Sequence, residues 1–128
     1  EALGDYTEGI LSVDTSSYDH YGEIGKMYRD KHKKFMNHEA FEQVLMLDVL
    51  ARAIAKANSS EPKKIAQALR EIRVTSKMAQ GLPGKVVQFD KTGLNASAYP
   101  VMIQYKNREM VTVWPASDAL GKLTWKKK

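Results

Sequence analysis

The chain has no cysteine at all, which excludes disulfides and thiolate metal sites. It also lacks any apolar run of the roughly 18 residues a membrane span needs, because Asp48 and Arg52 interrupt the best candidate. The first residues carry no basic-then-apolar signal segment, so a targeting peptide is expected to be cleaved or absent. Histidine is scarce: His20, His32 and His38 never stand at the i, i+3 or i+4 spacing of a helical metal pair, so each reads as exposed or hydrogen-bonded. Catalytic patterns are missing too. Ser16-Ser17 and Ser59-Ser60 have no nucleophile-elbow glycines around them. Gly81-Leu82-Pro83-Gly84-Lys85 has too short a glycine spacing for a phosphate loop and is followed by Val86. No enzyme, cofactor or metal site is expected.

What is present fits one folded domain: 128 residues, 43% hydrophobic and 27% charged. The net charge of +5 invites a nucleic-acid reading, so its location matters. Lys26, Arg29, Lys31, Lys33 and Lys34 against Asp30 leave +4 within nine residues, and Lys126 to Lys128 add +3, so the body is slightly acidic. The first cluster is a helix end, where cations favour the dipole, and the second is a tail. Neither interleaves with base-reading groups, so no nucleic-acid partner is expected.

The most informative segment is a helix with almost no wet side. Between Phe41 and Ala55 stand Val44, Leu45, Met46, Leu47, Val49, Leu50, Ala51, Ala53 and Ile54. Asp48, Arg52 and Lys56 fall at i, i+4, i+8, one narrow stripe. Near-total apolarity implies burial on most sides, yet two further helices are too few to surround it. A larger body is therefore expected around it.

Around that helix, residues 8–15 read as a strand and a helix runs from about Tyr21 towards Phe35. Asn37-His38-Glu39 is a capping junction into the apolar helix, about 39–57. Ser60 is placed to cap a third helix with Pro62 in its first turn and an apolar face of Ile65, Ala68, Leu69 and Ile72. Residues 86–89 read as a strand and 90–93 as a turn. Residues 101–105 and 110–114 form a hairpin with a four-residue connection. Read alone, this is α+β: three helices plus a C-terminal β-hairpin.

Taken in order, several segments resemble the C-terminal portion of type I periplasmic solute-binding proteins of branched-chain amino-acid ABC transporters. They are Ala2 to Leu11, the helix ending Leu50-Ala51-Arg52-Ala53-Ile54, Asn58 to Ile65 with Ala68-Leu69, Gly84 to Gly93, Val101 to Tyr105 and Val111 to Pro115. The family often has glycine where Asn58 and Arg108 stand. The resemblance implies an α/β fragment of a two-lobe clamp. Residues 1–13 would end a strand of the second lobe, 14–95 form a helical segment of the first, and 96–128 return as the second lobe's hairpin and tail. It implies a hinge at Asp14 and Thr15, and a ligand contact at the start of the second helix, at Glu39 or Phe41. The implied function is a periplasmic or extracytoplasmic solute-binding component of an importer, which captures an amino acid or related small carboxylate and delivers it to a membrane permease. The apolar helix would then be covered by the remainder of the protein or by a swapped copy. The alternatives are a ligand-sensing domain of a receptor or regulator with the same fold, and a small basic nucleic-acid-binding domain.

Overall fold

A computed structural model describes residues 4–125; residues 1–3 and the Lys126–Lys128 tail lie outside the described residues, and so does the start of the segment 2–11. The described elements are a strand β1 (Leu11–Asp14), three helices α1 (Gly22–His32), α2 (His38–Ala57) and α3 (Pro62–Glu71), and two strands β2 (Val101–Lys106) and β3 (Glu109–Trp114). Short 3-10 turns cover Gly4–Thr7, Tyr18–His20 and Met78–Gly81. The result is a small α+β domain. None of the helices among the described residues is long and apolar enough to cross a membrane.

The chain ends α1 where Lys33 takes a left-handed conformation, φ 55°. Asn37 opens α2 by accepting the Ala40 N–H at 3.1 Å, which satisfies one of the orphan donors of the first turn. Asn58 closes it at φ 45°, a position that asparagine tolerates better than most residues. At α3 the expectation is corrected: Glu61 is the residue before the first turn, and Ser59 Oγ accepts its N–H at 3.1 Å while Ser60 stands aside.

The three strands form one antiparallel sheet in the order β1-β2-β3, with Leu11 opposite Gln104 and Gln104 opposite Val111. β1 thus pairs with a strand some 90 residues later, after the chain has passed through all three helices. Two corrections concern strands. Residues 86–89 make only isolated bridges, Val74 to Val87 and Phe89 to Asn95, because no neighbouring segment runs alongside long enough to build a ladder. The hairpin connection is two residues, not four: Asn107 and Arg108 both have positive φ (51° and 65°), the geometry that matches the strands' own twist. Gln104 is fully buried in the middle strand. Its amide donates to the carbonyls of Gly9 (3.1 Å) and Thr124 (2.7 Å) and accepts from Thr124 N–H at 3.0 Å, so its polar atoms are satisfied and the C-terminal segment is tied to the sheet.

The helical core gathers on one stripe of α2. Phe41, Leu45 and Val49, spaced i, i+4, i+8, are buried against Tyr21, Met36, Val74, Ala79 and Val87, and Ala53 continues the same buried stripe one turn on. Phe41 and Tyr21 stack with centroids 4.0 Å apart and planes 8° from parallel. Gly81 lies against this pair. A Cβ there would fall 2.9 Å from Phe41 Cε2, so the stack can close only over a residue with no side chain.

The opposite face of α2 is bare. Leu47 is 66% exposed, and Val44, Leu50 and Ile54 are about two-fifths exposed. The charged stripe, by contrast, meets the rest of the chain. Asp48 accepts from Arg52 Nε at 2.9 Å and from Ser76 Oγ at 2.8 Å, and Lys56 Nζ lies 3.3 Å from Glu71 of α3.

Candidate functional site: the junction of β1 and α2 and the adjoining cleft

Where β1 ends, Asp14 turns the chain with its own side chain. Its Oδ1 accepts the N–H groups of Thr15 (2.7 Å) and Ser16 (3.2 Å), an Asx-type turn that aspartate favours. Its Oδ2 accepts the Tyr18 hydroxyl at 2.9 Å. The same Tyr18 oxygen lies 3.0 Å from His38 Nδ1, at the first residue of α2. The hydroxyl has a single proton and gives it to Asp14, so the contact with His38 requires Nδ1–H to donate. In the neutral ring Nε2 then carries the lone pair, 3.4 Å from Glu39 Oε1. Protonating Nε2 would turn that contact into an ion pair. Burial first, then the hydrogen bond to Asp14, push the Tyr18 phenol above its ordinary value, so it stays a neutral donor.

A second set of bonds runs alongside. Thr15 Oγ1 and Ser16 Oγ both donate to Glu42 Oε1, at 3.0 and 3.2 Å. Beneath them, Ser17 Oγ and the Tyr21 hydroxyl are buried with no hydrogen-bond partner among the described residues.

The structure therefore brings the four residues expected from sequence into one neighbourhood. Asp14 and Thr15 form the exit of β1; Asp14 reaches His38, next to Glu39, and Thr15 reaches Glu42, next to Phe41. Their side chains have different fates. Glu39 is mostly exposed, its carboxylate turned towards His38. Phe41 is entirely buried in the core stack and presents no surface to a ligand. Tyr18, Ser16 and His38 complete the junction, and nothing in the spacing of residues 16, 18 and 38 announces that they meet. Among the described residues no group of His, Asp and Glu could hold a metal ion.

The junction shares Tyr18 and Tyr21 with a cleft of about 420 Å³ between α1 and β3. Lys26 and Arg29 of α1 form one wall, Met110 and Val111 of β3 the other, and Phe35 and Met36 close one end. Arg29 spans the cleft to Glu109 with two hydrogen bonds, 2.7 and 3.1 Å. On the same side Asp19 is held by Thr112, accepting its N–H at 2.8 Å and its hydroxyl at 2.6 Å. These contacts fasten α1 and the turn before it to the hairpin.

No known family model matches the chain, and no curated protein matches it.

Proposed function

We propose that this chain is part of a two-lobe extracytoplasmic solute-binding component of an ABC importer, which holds an amino acid or similar small carboxylate between its lobes and passes it to a membrane permease. The observation that carries the reading is the bare face of α2. Val44, Leu47, Leu50 and Ile54 form a contiguous apolar strip opposite the buried stripe. Strips of this kind on folded proteins mark contact surfaces. A first lobe built on the same helix would cover it.

The chain's path supports the same reading. It leaves the sheet at Asp14, forms its helices, and returns to pair beside its starting strand at Val101. A segment that exits and re-enters one sheet in this way is what two lobes joined by crossing strands require. The crossing at Asp14 and Thr15 would be a hinge, and Glu39, in the first turn of α2, would face the cleft between lobes. Binding would involve no chemical change; closure would follow from tighter ligand contacts in the shut form than in the open one.

The test is to read and express the coding sequence upstream together with this chain, then titrate the product with a panel of amino acids by calorimetry. A first lobe upstream and micromolar binding of one class of small carboxylate are expected. A 128-residue chain that runs as a monodisperse monomer, binds no apolar dye at Leu47 and Leu50, and has no first lobe upstream would overturn the reading.

A further inference from the structure

We propose that the cleft between α1 and β3 binds an apolar organic anion, an aromatic or branched hydrocarbon body bearing one carboxylate, with Lys26 as the receiver of the charge. The cleft is built wholly from described residues of this chain, so the proposal stands apart from the two-lobe reading.

Most polar side chains of the cleft wall are already engaged. The Tyr18 hydroxyl is committed to Asp14 and His38. Both oxygens of Asp19 are taken by Thr112. Arg29 and Glu109 face each other through two hydrogen bonds. Two polar groups of the lining have no partner among the described residues: the Tyr21 hydroxyl, which is buried away from solvent, and Lys26, which is exposed and whose ammonium offers three donors. What remains of the lining is aromatic, thioether or aliphatic: Tyr21, Phe35, Met36, Met110 and Val111.

A ligand with many polar groups, such as a sugar or nucleotide, would leave most of them unpaired here, and each buried unpaired group costs affinity. A zwitterion would meet the same difficulty at its ammonium, for which only the already engaged carboxylates of Asp19 and Glu109 stand near. One anionic group on a hydrocarbon body satisfies Lys26 and covers the apolar wall. The cleft volume of about 420 Å³ lies within the ordinary range for small-molecule sites. The net +4 over residues 26–34 adds a positive field that draws anions to this end of the molecule.

Titration of the isotope-labelled 128-residue chain by NMR, with 3-phenylpropionate, 3-phenylpropanamide and phenylalanine as probes, tests this. Shifts are expected at residues 25–29, 35–36 and 110–111, with phenylpropionate bound about tenfold or more tightly than the amide or the amino acid, the worth of one charge-assisted hydrogen bond. Lys26→Met should lose the same factor and Lys26→Arg should keep most of the affinity. Lys26 is exposed, so neither variant should disturb folding, and retained spectral dispersion checks that. The proposal is overturned by shifts confined to the bare face of α2, by unchanged affinity in Lys26→Met, by equal affinity for phenylalanine, or by no shift up to about 10 mM probe, near the weakest binding such a site would give.

Discussion

The two long faces of α2 carry the same kinds of side chain and meet opposite surroundings. Phe41, Leu45, Val49 and Ala53 are sealed against the rest of the helical core, while Val44, Leu47, Leu50 and Ile54 stand in the open. Between them the charged stripe is engaged, Asp48 with Ser76 and Arg52, Lys56 with Glu71. Apolarity along a helix therefore records how much of it needs cover; it does not say which side the polypeptide itself covers. Tyr21, Gly81 and the loop from Val74 to Val87 choose the inner side, because they bring shape-matched partners to it.

Four substitutions would break or sharpen this contrast. Leu45→Lys and Leu47→Lys are a matched pair two residues apart. Placing a charge at Leu45, 1% exposed, should cost upwards of about 4 kcal/mol and unfold the domain, seen as loss of dispersed NMR signals. Phe41→Ala should cost about 3–5 kcal/mol in urea unfolding, because the stack on Tyr21 and the lid over Gly81 are both lost. A value under about 1 kcal/mol would mean that the inner stripe is not the core. Asn37→Ala, which removes the cap shared by both faces, should cost about 1 kcal/mol by thermal unfolding. Leu47→Lys should change folding stability by no more than about 0.5 kcal/mol. Its effect should appear in sedimentation instead, as reduced association of the chain at high concentration. A strongly destabilising Leu47→Lys would place that residue in a core and erase the distinction between faces.

The helices were legible because their signals are local. Asn37 before an apolar run, Pro62 in a first turn and Asn58 after a last turn each act within a few residues, and all three stand at the ends of observed helices. The errors arise where a partner decides. Val86 to Phe89 has strand-forming residues, but a ladder needs a neighbour, and Val74 and Asn95 supply only single bridges. Lys106 and Glu109 look like loop residues yet pair with each other across β2 and β3, where a charged side chain on a strand end costs little. The capping serine failed for a third reason: two adjacent serines compete, and Ser59 rather than Ser60 reaches the Glu61 N–H.

At the candidate site, residue types were readable and proximity was not. Asp14 with Thr15 and Glu39 with Phe41 stood as two separate pairs in the sequence; the structure links them only through their neighbours, Asp14 by way of Tyr18 to His38 and Thr15 to Glu42. The extra basic character of residues 26–34 was visible as a helix end. That one of those lysines lines a cleft with Phe35 and Met110 depends on where the hairpin lands, 80 residues further on.

The contact at Gly81 offers a way to find kin that share this plan even when overall likeness has faded. An aromatic ring at position 41, another at position 21 and no side chain at position 81 form a three-point filter. Any candidate with alanine or larger at the third point must open the ring pair, and so belongs to a different arrangement of the same helices.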